Sequence, residues 1–77
     1  MKLTYGDAQY RSSFVEDHEK GFGGYELLRL RDGREDRVAT MLFWDATGQF
    51  FVETFGDVPL VVLESLVAET KSSIVVK

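Results

Sequence analysis

The chain has 77 residues, one histidine, no cysteine and a formal net charge of −4. This is one small domain that cannot use disulfides or thiolate zinc sites, and its charge gives no general attraction to nucleic acid or to an anionic membrane. Hydrophobic residues make up 44% of it, so it is globular, yet a chain near this size buries only roughly 60% of its unfolded surface and gains from oligomerisation.

The amino-terminal run Met1-Lys2-Leu3-Thr4-Tyr5-Gly6 has no apolar core of the kind a secretory signal needs, and no stretch approaches the ~18 apolar residues of a membrane span. A cytoplasmic protein is the expectation. The first strand is expected from Ala8 to Glu16, where Tyr10 and Phe14 alternate with polar neighbours. Asp17 to Gly21 and the pair Gly23-Gly24 then read as a loop. A second strand is predicted from Tyr25 to Arg31, and Asp32-Gly33 is a strong hairpin signal. The third strand is placed at about Arg37–Trp44 and the fourth at Gln49–Phe55. The fold class that follows is α+β: a four-stranded antiparallel meander with one carboxy-terminal helix on one face.

Both faces of the last hairpin are apolar. Reading Asp45-Ala46-Thr47-Gly48 as a type I turn closed by a glycine bulge sets Trp44 opposite Phe50 and Phe43 opposite Phe51. Alternation then collects Val38, Thr40, Leu42, Trp44, Phe50, Val52 and Thr54 on one face. Ala39, Met41, Phe43, Phe51, Glu53 and Phe55 fall on the other. An even-length loop at Asp32-Gly33 adds Tyr25, Leu27, Arg29 and Arg31 to the Trp44 face, and Leu28 and Leu30 to the Phe43 face.

After Gly56 the period changes to that of a helix, expected at about residues 58–72 with Asp57 as N-cap and Pro59 in its first turn. Leu60, Leu63, Leu66, Val67, Thr70 and Ile74 form its apolar stripe, Val62 flanks it, and Val61 lies outside. The tail Ile74-Val75-Val76-Lys77 either finishes the helix or adds a short strand. The helix is assigned to the Phe43 face, because that face lacks Tyr and Trp, whose polar tips want partners when buried. Glu53 on this face is the awkward member.

No residue pattern points to catalysis. His18 among Glu16, Asp17 and Glu19 reads as a solvated loop, and Gly21-Phe22-Gly23-Gly24 lacks the following helix that a phosphate loop needs. No cofactor and no metal are expected. The candidate site is instead a surface on the Trp44 face, comprising Tyr25, Leu27, Arg29, Arg31, Arg34, Leu42, Trp44, Phe50 and Val52.

Tyr, Trp and Arg are enriched at protein interfaces, so this face is read as the surface of a homodimer, with another protein as a further partner. Rings beside arginines on an open sheet also suit single-stranded nucleic acid. The order of four strands and a carboxy-terminal helix is similar to that of single-stranded-DNA-binding transcriptional coactivator domains, a resemblance that implies a nucleic-acid-binding dimer. Asp36 and Glu35 among the arginines favour the protein interface. A small enzyme with a site completed across the dimer is the third reading. It would be signalled by a deep polar pocket between subunits.

Overall fold

The computed structural model describes residues 1–74. Five strands, β1 (Lys2–Tyr5), β2 (Ala8–Asp17), β3 (Phe22–Arg31), β4 (Arg34–Trp44) and β5 (Gln49–Thr54), precede the helix α1 (Leu60–Ser73). The strands form one antiparallel meander in the order β1-β2-β3-β4-β5. The α+β class with a carboxy-terminal helix therefore holds, but the sheet has five strands where four were expected. The additional strand is β1, which returns into β2 through Gly6-Asp7 and sets Tyr5 opposite Ala8.

Strand limits also move. Gly23 and Gly24 lie inside β3, paired with Phe43 and Leu42, and the connection from β2 is only residues 18–21. At Gly24 a glycine is required by space: a Cβ there would lie 2.0 Å from the Met41 carbonyl oxygen. The β3–β4 turn is the two-residue form, with Asp32 and Gly33 both at positive φ (54° and 73°), as a primed hairpin turn demands. This lets β4 begin at Arg34.

Two register differences rearrange the faces. The turn after β4 is a four-residue loop with Trp44 opposite Gln49, which sets Phe43 opposite Phe50, Leu42 opposite Phe51 and Met41 opposite Val52. In addition, β4 carries a bulge: Leu27 pairs with Ala39 but Leu28 pairs with Arg37, leaving Val38 as the extra residue. One extra residue reverses the parity of everything beyond it. Tyr25, Leu27, Phe50 and Val52 therefore share the helix face with Ala39, Met41 and Phe43. Leu28, Leu30 and Phe51 move to the open face with Leu42 and Trp44. Glu53 goes with them, opposite Thr40, which removes the difficulty of a carboxylate under the helix.

The core sits between α1 and the sheet. Leu27, Ala39 and Met41 meet Val62 and Leu66, with Ala8, Tyr10 and Val38 also buried. The helix packs against β3 and β4. Its innermost row is Val62, Leu66 and Thr70, spaced by four residues, and the Thr70 hydroxyl donates to the Leu66 carbonyl at 2.8 Å, so its burial leaves no polar atom unpaired.

The expected stripe was thus rotated: Val62 is central, Leu63 and Val67 flank it, and Leu60 is 70% exposed. The N-cap position is Pro59, without a side-chain cap. The Asp57 side chain plays no capping part, although the Asp57 carbonyl accepts from Arg29 at 3.0 Å. On the β1–β2 flank, Glu69 pairs with the Met1 ammonium and accepts from Ser12. Ile74 follows the helix in an extended conformation, and the rest of the tail lies outside the described residues.

Candidate functional site

The sheet face away from α1 is left without a cover among the described residues. Strand pairing sets its composition. One row across four strands is Val15, Gly24, Leu42 and Phe51, and the next carries Phe22 and Trp44. Phe22 and Trp44 lean together with ring centroids 4.9 Å apart and planes at 49°. Phe51 is 51% exposed and Leu30, nearer the opposite end of the face, 39%. Phe22 and Trp44 are partly buried, and Phe51 is the ring that stands half in water and gains most from a partner.

Below this apolar band the face is charged, and its arginines are paired within the chain, while Glu53 is exposed opposite Thr40. Arg11 makes a two-pronged contact with Glu35, both N–O distances being 3.0 Å. The hydrogen bond from Arg11 holds the Glu35 carboxyl below the usual carboxylate range, and the same contact raises Arg11. Arg37 lies 3.8 Å from Glu26 and stands over the Phe55 ring, 5.0 Å from its centroid. Leu28 and Leu30 sit between these pairs, beside the Arg11 stem. The face thus has an apolar band at its Trp44 end and two ion pairs in its other half.

Of the residues expected to form a single site, Leu42 and Trp44 lie on this face. The others do not. Leu27 is fully buried under the helix, and Tyr25 packs edge-on against Phe14 with ring centroids 5.5 Å apart on the helix side. Phe50 packs against Phe43 at 5.1 Å, and Val52, although 45% exposed, shares the helix side. Arg29, Arg31 and Arg34 also belong to the helix side, near the sheet end from which α1 starts. Arg29 donates to the Asp57 carbonyl, Arg31 lies 3.8 Å from Asp7, and Arg34 lies 3.2 Å from Asp36. The ring-and-arginine platform is thus divided between two faces.

Phe22, Phe51, Leu28 and Leu30 are the open-face residues that the sequence reading missed. Phe22 was hidden by the two glycines that follow it, which look like loop. Leu28 and Leu30 were displaced by the bulge and Phe51 by the loop register.

His18 is almost fully exposed, with Nε2 3.4 Å from a Glu16 carboxylate oxygen. Among the described residues no group of three or more His, Cys, Asp or Glu side chains is placed to hold a metal ion. A concavity of about 660 Å3 lies at the helix start between Tyr10, Arg29, Arg31 and Pro59, where both arginines already have oxygen partners. No described helix is long and apolar enough to cross a membrane. No protein family, curated protein or solved structure matches this chain.

Proposed function

We propose that this protein is a small non-enzymatic interaction module that forms a homodimer through its open sheet face and presents itself to another protein in that form. The observation that carries this reading is the uncovered band of Val15, Phe22, Leu42, Trp44 and Phe51. A large apolar side chain gains about 1.5–3 kcal/mol on full burial, and a contiguous patch of this kind is unusual on a monomer. Arg11 and Arg37 at its margin are already paired within the chain, which suits a partner surface that brings no anion to them, and a second copy satisfies this. A cytoplasmic location accords with the lack of cysteine.

Sedimentation equilibrium at micromolar concentration tests it. The expected result is a particle of at least twice the 8.8 kDa chain mass, reduced in Trp44→Ala. A wild-type monomer at high concentration overturns the proposal.

The competing reading is a single-stranded nucleic-acid-binding dimer that uses the same face. Phe22 and Trp44 would supply stacking rings. Against it, Arg11 and Arg37 are engaged with Glu35 and Glu26, so few free cations remain for phosphates. Titration of a labelled single-stranded oligonucleotide at low and high salt separates the two, because only nucleic-acid binding should appear at low salt and fade as salt rises.

A further inference from the structure

β5 is an edge of the sheet, and a single charge, Glu53, is all it carries of the devices that normally keep an edge strand from pairing. Its six residues, Gln49-Phe50-Phe51-Val52-Glu53-Thr54, include no lysine, no proline and no bulge. The opposite edge, β1, is four residues long and carries Lys2. Every β5 residue except Phe50 is exposed.

The direction of its backbone groups follows from the hairpin. Trp44 and Gln49 face each other beside the turn, and the Phe55 amide donates to the Val38 carbonyl at 2.9 Å. Alternation then turns the amides and carbonyls of Gln49, Phe51 and Glu53 toward β4. Those of Phe50, Val52 and Thr54 point to the free edge, where no described strand receives them.

Glu69 reaches Met1 and Ser12 on the β1–β2 side, so the opposite flank of α1, with Leu60, Leu63 and Val67, leans toward β5. Val52 and Leu60 both stay exposed.

We infer that β5 pairs antiparallel with β5 of a second copy about a two-fold axis at Phe51, giving one continuous sheet with both helices on the same side. The strand is self-complementary in this register. Phe51 meets Phe51 of the second copy on the open face, Phe50 meets Val52 on the helix face, and the sole charge, Glu53, meets Gln49 and not its own equivalent. The paired Phe50 and Val52 are also the residues whose backbone groups face outward. A shift by two residues would instead set Glu53 against Phe51. The contact leaves the open face free, so edge pairing and the proposed face-to-face dimer together build an assembly of four copies. The edge contact does not depend on the face contact.

The test is sedimentation equilibrium on the wild type, Val52→Pro and Trp44→Ala, with circular dichroism and melting temperature alongside. Proline at position 52 removes an amide that bonds nothing in its own chain, so the fold should be kept while the assembly mass falls by half. Val52→Lys, which keeps the amide but puts a charge opposite Phe50 of the second copy, should act in the same way and covers the case in which the proline variant fails to fold.

The chain has no native cysteine, so in the Trp44→Ala background, where the open-face contact is removed, Phe51→Cys should cross-link copies under mild oxidation and Glu53→Cys should not. Directly opposed, non-hydrogen-bonded residues approach to about 4.5 Å between Cα atoms, within disulfide range. An unchanged mass in both position-52 variants overturns the edge pairing, and a monomeric Trp44→Ala in that case leaves the open-face reading standing alone. Equal or faster cross-linking through Glu53→Cys overturns the register. A wild-type monomer overturns both contacts.

Discussion

Phe22 and Trp44 meet across β3 and β4 on the uncovered side of the sheet, 4.9 Å between ring centroids, while the neighbouring Phe43 meets Phe50 on the helix side at 5.1 Å. Adjacent aromatic residues of one strand thus serve different surfaces. Trp44→Ala should weaken association more than it unfolds the subunit. Phe43→Ala should chiefly destabilise the fold, by about 2–3 kcal/mol, since its ring is less than fully buried and a buried one costs about 3–5. Denaturation midpoints and solution mass, measured on both variants, check the assignment. A stable Phe43→Ala monomer beside an unfolded Trp44→Ala would contradict it.

The rotated helix stripe makes its own prediction. Leu66 is fully buried against the sheet and Leu60 is 70% exposed, although both are leucines of one helix. Leu66→Ala should cost about 2–5 kcal/mol, a large part of the stability of a domain this small. Leu60→Ala and Lys71→Ala should each stay within about 0.5 kcal/mol in the isolated subunit. Urea denaturation of the three variants reads the difference directly.

Gly24 is held by close approach of the neighbouring strand. With the Met41 carbonyl oxygen 2.0 Å and the Leu42 Cα 2.9 Å from where a Cβ would stand, both obstacles are backbone and cannot swing aside. Gly24→Ala should destabilise by at least the about 1–3 kcal/mol of an overpacked core position. Gly33→Ala has no such obstruction and should show only the smaller cost of a positive φ. Thermal melts of the two proteins give the comparison.

Glu69 ties α1 to the amino-terminal strand. Burial pushes its carboxyl up, but hydrogen bonds from the Met1 ammonium and Ser12, with the ammonium charge, outweigh burial and leave it below its ordinary value of 4.5. A carboxyl lowered in the folded state stabilises above its unfolded value, and that stability is lost as pH falls through the folded value. The wild type should therefore lose stability below about pH 4.5 more steeply than Glu69→Gln. At neutral pH the variant should be the less stable of the two. Denaturant midpoints from pH 7 to pH 3 supply the curve.

Much of the fold is legible in local chemistry. Alternating apolar residues mark β2 and the later strands, Asp32-Gly33 supplies the two residues that tolerate positive φ in a primed turn, and the change of period after Gly56 announces the helix. Leu42 and Trp44 fall on the uncovered face by that reasoning. β1 is less legible because four residues carry too little pattern to stand out from a disordered terminus.

Tertiary structure alone decided which faces the hairpins share. The extra residue at Val38 and the pairing of Trp44 with Gln49 are properties of hydrogen bonding between strands, and no side-chain pattern within one strand records them. Because the side-chain period of a strand is two, each single-residue offset exchanges buried and exposed sets completely. The bulge sent Leu27 under the helix and Leu28 to the open face, and the loop register did the same for Phe50 and Phe51. The sequence by itself determined that two apolar surfaces must exist on this sheet. Which residues form each surface was settled only when the strands came together.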